Sequence, residues 1–516
     1  MGTRKYQGPP RVAGSLLLAS LVLGLAGLGF ALSSMNEGTN NMELHIDVMA
    51  RPSSDPIGVD GNDDLEAMGL PGLGTAIDPY IIENLVIDAD GDGSPIFIQN
   101  TDLFLIIRNC TVSGSGSEAH DAGIKLVNCT NVNVTGNFAM SNGCNGIYVR
   151  DSKDITVSDN EVTGNDHAGV FLDATATSTV SGNNASHNMI GIYLDDAPSN
   201  NVSGNNASQN AFGISVGGGH DVIVTGNVLQ QNLMYGILTQ EANDIKMAGN
   251  VMIGCGIGLH DSPAGVASHD IDTTNTVNGK PVYYYVNEAG LGWQDFTNAG
   301  QVILVGCNHS IVQDLNVSGA SVGIAVYHAN NVTVSWNDAS QNVAGIYMTG
   351  TTHSQVSYNH ASYSLIAGIA FRNTNFSLVK WNTALHGSNE SLGIRLVDSS
   401  FNRIFLNAFS NGSCEGGSHN TWYNETLGNY WADYEDTYPT ATNNGTVWDI
   451  PYDLGDCEDP YPLVDPPEPE TDADPDPDPD PDPGAPEIPG PGSLLVLLFM
   501  AAAIAALVPS LRKRAA

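Results

Sequence analysis

Positive charge is what this sequence has least of: 17 Lys and Arg stand against 56 Asp and Glu, a formal net charge of -39. That balance excludes a nucleic-acid partner, whose phosphates need a basic surface. Cysteine is scarce as well, and seven in 516 residues do not make a disulfide scaffold. Five are scattered through the chain as small hydrophobes. Cys414 and Cys457 flank the C-terminal segment and are expected to staple it. No Gly-x-Ser-x-Gly elbow supports Ser/His/Asp catalysis. No Gly-rich loop cradles phosphate, and the Gly217 to Gly219 run is a turn. Only 14% of residues are charged, while 57 Gly join abundant Asn, Ser and Thr. Those residues are poor helix formers, so the composition points to turn-dense β architecture.

What is present is a beat. A Gly followed by apolar–x–apolar recurs at Gly123, Gly146, Gly169, Gly191, Gly213, Gly236 and Gly256, then at Gly323, Gly345, Gly368 and Gly393. Asn137, Asn160, Asn183, Asn205, Asn227 and Asn250 keep the same interval of about 22 residues, resumed at Asn337, Asn359, Asn382 and Asn407. A fixed period of this length marks a solenoid. Short period-2 runs between Gly and Asn make each unit strand–turn–strand. One unit cannot bury its own apolar face, so coils stack about 4.8 Å apart into a right-handed parallel β-helix. Ile124, Ile147, Val170, Ile192 and Ile214 form one expected inward column, and the repeated Asn an amide ladder. The beat breaks from about 262 to 307, where Asn278-Gly279 and an aromatic run predict a hairpin excursion from one coil.

The expected organisation is a signal peptide or signal anchor over 1–34 and a linker over 35–56. The β-helix covers 57–417, with a C-terminal cap over 418–465. A short helix over 63–69 is expected to cover the first coil. Asp and Pro then form an extended spacer over 466–491, roughly 80 Å at full reach, before a transmembrane or sorting segment over 492–516. Basic residues lie outside both terminal apolar runs, so both chain ends are placed in the cytoplasm and the body outside the cell. Fourteen Asn-x-Ser/Thr sequons, among them Asn109, Asn133, Asn206 and Asn331, are compatible with that exterior.

Function is sought on the outward columns. The residue between the two inward apolars should point out, which aligns Tyr148, Phe171 and Tyr193, with Arg150, Asp173 and Asp195 beside them. Aromatic faces stack on sugars, and neighbouring carboxylates serve acid–base chemistry or hold a divalent cation. Asp88, Asp90 and Asp92 with Gly93 match the first half of an EF-hand loop, but Gln99 stands where a bidentate Glu is needed; a looser calcium site is the candidate.

Three motifs resemble the NosD-like superfamily of parallel β-helix repeat proteins, which includes many archaeal surface proteins. Gly74-Thr-Ala-Ile-Asp-Pro-Tyr-Ile-Ile resembles its opening strand, and Val277-Asn-Gly-Lys-Pro-Val-Tyr-Tyr-Tyr resembles its hairpin. Gly428-Asn-Tyr-Trp-Ala-Asp-Tyr, with Ile450-Pro-Tyr-Asp-Leu and Asp459-Pro-Tyr-Pro-Leu, resembles its C-terminal cap. The tail resembles an archaeal sorting signal, except that Pro491 follows Pro489-Gly490 where Phe is expected. The resemblance implies copper handling, since NosD proteins assist maturation of the nitrous oxide reductase copper site. The 13 His and 12 Met show no HxH, CxxC or Met-rich cluster, so copper is not expected. The expectation is a membrane-tethered, non-catalytic scaffold for a cell-surface glycan or envelope protein. The alternatives are a polysaccharide lyase or hydrolase centred on Arg150, Asp173 and Asp195, and copper delivery.

Overall fold

The six residues around each repeated Gly form the longest strand of a coil. In the computed structural model, which describes residues 54–386 and 391–468, these are Ala122–Val127, Asn145–Arg150, Ala168–Asp173, Ile190–Asp195, Phe212–Gly217 and Tyr235–Gln240. They stack in parallel, and register carries Ile124 onto Ile147, Val170, Ile192 and Ile214, all fully buried. Each such side chain contributes about 1.5–3 kcal/mol by leaving water. One nine-stranded sheet runs from Ile57–Asp60 to Ile257–His260, and a second from Tyr80–Glu83 to Asp270–Ile271. The chain is an all-β parallel β-helix.

Coils approach so closely at the repeated Gly that nothing larger fits: a Cβ on Gly169 would lie 2.7 Å from the Gly191 carbonyl oxygen. Asparagine links the coils at the turns. The amides of Asn137, Asn160, Asn183, Asn205, Asn227 and Asn250 each donate to the next, ending on Asn275. A second series begins at Asn337 and passes through Asn359, Asn382 and Asn407 to Asn429. It finishes on a carboxylate, Asp459 Oδ2, which accepts from both nitrogens of Asn429 and from Trp431 Nε1. Asn142, Asn165 and Asn188 form a further buried ladder that the period alone had not singled out.

The break in the beat is a seam and not an excursion. Thr276–Val277 and Lys280–Val286 do form an antiparallel hairpin, with Asn278 and Gly279 both at positive φ as a tight two-residue turn requires. The second strand re-enters the solenoid and runs parallel to Gln301–Val305, so a ten-stranded sheet joins the Val228–Gln230 face of the early coils to the long face of the later ones. The fully buried Gln301 amide stitches across: its oxygen accepts from Ile257 N–H at 2.9 Å and its nitrogen donates to Ile257 O at 2.6 Å.

The helix Asn62–Ala67 buries Leu65 at the N-terminal end. At the other end Trp422, Trp431, Tyr434 and Tyr452 are buried, and Cys414 is disulfide-bonded to Cys457. Both terminal apolar runs, and nearly all of the Asp/Pro spacer, lie outside the described residues. Among the described residues no helix is long and apolar enough to cross a membrane.

Candidate binding face

Register places Lys125, Tyr148, Phe171 and Tyr193 in one outward column and Val127, Arg150, Asp173 and Asp195 in the next. Period 2 foresees both columns, yet the aromatic one is not an open platform. Tyr148 is fully buried, Phe171 is 6% exposed and Asp173 8%, while Tyr193 and Asp195 are half-buried and Arg150 is exposed. The covering residues precede the repeated Gly. Ala122, Ala168 and Ile190 pack with Tyr148 and Phe171 in a small cluster outside the main core, joined by Met189, Tyr193 and Phe212. His120 stacks on Tyr148 at 5.1 Å, and Phe171 on Tyr193 at 4.6 Å. Three rings are therefore aligned, but only Tyr193 offers appreciable surface to a sugar.

The polar groups largely satisfy one another. Tyr148 donates its hydroxyl hydrogen to Asp173 Oδ2 at 2.7 Å, and Arg150 Nε lies 3.7 Å from the same oxygen and 3.1 Å from Asp151. Burial, and then the Asp173 carboxylate, push the Tyr148 phenol well above its ordinary range. The phenol is held as a hydrogen-bond donor. His167 edges onto Phe171 and Tyr193, and its Nδ1 is 2.8 Å from Asn145 Oδ1. Burial, with the nearby His120 as a lesser cause, lowers its pKa to about 4, so it is neutral at physiological pH.

Asp88, Asp90 and Asp92 are exposed and share one turn, where Asp88 Oδ1 accepts from the Asp90 N–H at 3.0 Å and Ala89 O from the Asp92 N–H. Among the described residues no group of three or more His, Cys, Asp or Glu is arranged to hold a metal ion.

A second constellation crosses the seam, where residues far apart in sequence converge. Tyr235 hydroxyl and His260 Nε2 are 3.2 Å apart, and Tyr327 donates to Leu259 O at 3.0 Å. Tyr347 packs edge-on against Tyr327 at 5.9 Å. Beneath them Asp261 Oδ1 accepts from the Ala242 N–H, and Oδ2 takes Nε2–H of the fully buried His269 ring at 3.0 Å. Sequence reasoning missed this group because no period relates residues on opposite sides of an insert; Tyr235, immediately before Gly236, was the available signal.

The family model described as periplasmic copper-binding protein (NosD) matches residues 78–280 and 256–436. Among solved structures, the chain is similar to the mannuronan C-5 epimerase AlgE6 A-module of Azotobacter vinelandii, at 15% identity over 70% of this chain and 98% of that one, TM-score 0.30. It is also similar to the catalytic unit of a thermostable GH87 alpha-1,3-glucanase from Streptomyces thermodiastaticus strain HF3-3, at 14% identity over 67% and 69%, TM-score 0.32. Likeness at this level carries no inference about chemistry. No curated protein matches the sequence.

Copper, which the family description implies, meets no matching donor set among the described residues. The nearest approach is a turn column of Cys144, His167 and Met189 in consecutive coils. Each is committed elsewhere: Cys144 Sγ to Asn145 Nδ2 at 3.2 Å, His167 Nδ1 to Asn145 Oδ1, and Met189 to the apolar cluster. These residues do not fit a copper ion as they stand.

Proposed function

The chain belongs to the NosD family, described as periplasmic copper-binding protein, and from that premise we propose a non-catalytic scaffold that binds glycans or neighbouring envelope proteins through its lateral face. It is held at the outer face of the membrane by its apolar terminal segments. One observation carries this reading: the outward columns are locked in register along the stack, with Tyr148, Asp173 and Arg150 bound to one another. That buried network fixes the strands beneath the half-exposed Tyr193 and Asp195, so those two lose little freedom on binding. The Tyr193 and Asp195 end, half-exposed, supplies a ring and a carboxylate to the ligand.

The test is a glycan array with a polysaccharide-degradation screen on the full-length chain. A calcium arm probes the turn of Asp88, Asp90 and Asp92. Binding without cleavage, weakened by Tyr193→Ala and Asp195→Asn, is the expected result. Asp173 Oδ2, held between a phenol and a guanidinium, favours a carbohydrate-active enzyme as the second reading. Polysaccharide turnover that Asp173→Asn abolishes without lowering Tm would replace the scaffold by that enzyme.

A further inference from the structure

The later coils depart from the chemistry of the rest. From Ala339 to Asn389 there is no Asp or Glu, in a chain that holds 56 of them. Arg372 and Lys380 lie inside that run, and Arg395 and Arg403 follow shortly after it. Stacking turns part of this into a surface. In the five-stranded sheet that runs from Ile311–Gln313 to Arg403–Phe405, register aligns Gln355, Leu378 and Arg403 in one outward column and Ser357, Lys380 and Phe405 in the other. The Arg403 guanidinium lies over the Phe405 ring at 5.3 Å.

Two aromatic rails bound this floor. On one side Trp336 and Tyr358 stack at 4.3 Å and 1°, and Trp381 follows at 6.4 Å and 7°. On the other, His353, Phe376, Phe401 and His419 stack at 5.3, 4.9 and 4.8 Å, nearly parallel. His353 and Tyr358 in one coil, and Phe376 and Trp381 in the next, are five positions apart, about 16 Å of extended chain. Trp336 is 39% exposed, Phe376 51% and Phe401 46%. All seven rail residues have φ between 53° and 60°. Apart from Thr177, earlier coils fill the equivalent turns largely with residues that tolerate this conformation, such as Asp159, Gly182 and Gly204 on one side and Asp154 and Asp221 on the other. Bulky rings at exposed left-handed positions are disfavoured by both backbone and water, and stacking offsets only part of that. Strain of this kind collects at ligand-binding surfaces. Because the rings lie on one another along the axis, they present edges to solvent. They suit a long ligand lying beside them, not one sugar sandwiched between them.

We propose that this floor and its rails bind an anionic polysaccharide laid along the solenoid axis, its acidic groups on Lys380 and Arg403 and its C–H surfaces against the ring edges. The inference rests on the glycan-binding reading above but places the contact on a different face. Charge complementarity selects the ligand, since this floor has cations and no carboxylate in a chain of net charge -39. The repeat of about 4.8 Å from coil to coil suits a polymer.

The experiment measures binding of the full-length chain to polygalacturonate, with dextran as the neutral control, at low and high salt. Polygalacturonate binds, salt weakens it and dextran does not bind. The double variant Lys380→Gln, Arg403→Gln loses about tenfold in affinity. Trp381→Asn also weakens binding but leaves Tm unchanged or raised, because Asn accepts the left-handed turn. Asp159→Asn, at an equivalent turn of an early coil, leaves polygalacturonate binding intact. Three results would each overturn the proposal: affinity untouched by the double variant, Trp381→Asn lowering Tm without changing affinity, or a dimer in sedimentation that the double variant dissolves. If polygalacturonate fails to bind while Tyr193-dependent binding of other glycans persists, this inference falls and the broader reading stands; if no glycan binds, both fall.

Discussion

Removing one rung of the asparagine ladder should cost more than its single side chain suggests. Asn205 Oδ1 accepts from Asn183 N–H at 2.9 Å and from Asn183 Nδ2 at 3.0 Å. Its own Nδ2 donates to Val180 O at 2.9 Å and to Asn227 Oδ1 at 3.0 Å. Asn205→Ala therefore leaves the Asn183 backbone N–H without that partner, in a place water does not reach, and removes three further bonds whose other partners keep some of their contacts. An orphaned buried donor costs about 1–3 kcal/mol and each of the three lost bonds about 1 kcal/mol more, so at least roughly 4 kcal/mol in all. The exposed neighbour Asn206 is the control, and Asn206→Ala should stay within about 0.5 kcal/mol. Solenoids open locally, so the assay is amide hydrogen exchange resolved to the coil. At the Asn183 amide, 4 kcal/mol is close to a thousandfold loss of protection. A loss below tenfold, or an equal loss in Asn206→Ala, would refute the ladder as the element that joins the coils.

Acid should loosen the early coils through His167. Its folded pKa of about 4 lies below the ordinary 6.5, so its contribution is complete above pH 6.5 and is lost as pH falls through 4, about 3 kcal/mol in total. Urea midpoints measured from pH 7 to 4 should fall more steeply for the parent than for His167→Gln, and parallel curves would remove the claim. Reducing the bond between Cys414 and Cys457, which closes a 43-residue separation, should destabilise the C-terminal cap by about 4 kcal/mol on loop entropy. Proteolysis of the cap with and without reductant reads this, and identical cleavage rates would contradict it. Gln301→Leu strips Ile257 of its side-chain partners at the seam and should cost about 2–4 kcal/mol, seen as faster exchange at Ile257 with the early coils unaffected.

Most of the solenoid is legible in the sequence, because two periods act on the same residues. Period 2 decides which way Ile147 and Tyr148 point, and the interval of about 22 decides what they lie against; observed register pairs Ile147 with Val170 and Tyr148 with Phe171. Burial of Tyr148 was not readable. Facing outward is a property of the strand, but being covered depends on Ala168 and Ile190, which precede a Gly where the alternation slips. The seam was half legible: Asn278-Gly279 announced the hairpin, but the destination of its second strand is set by pairing with Gln301–Val305, which no local pattern encodes. The rails escaped notice for another reason. Tyr358 and Phe376 look like loop residues in sequence, and only stacking at equivalent turns makes ridges of them.

The carboxylate at the end of the later ladder has a consequence for how such a molecule changes over generations. Every asparagine both gives and receives, so any interior rung is interchangeable with its neighbours, whereas Asp459 only receives. A duplicated coil inserted between two rungs finds its partners waiting on both sides. A duplicate appended beyond Asp459 would meet a group with nothing to donate. Height can thus drift in steps of about 4.8 Å by copying from the middle, while the terminus stays a stop that keeps one molecule from continuing into the next.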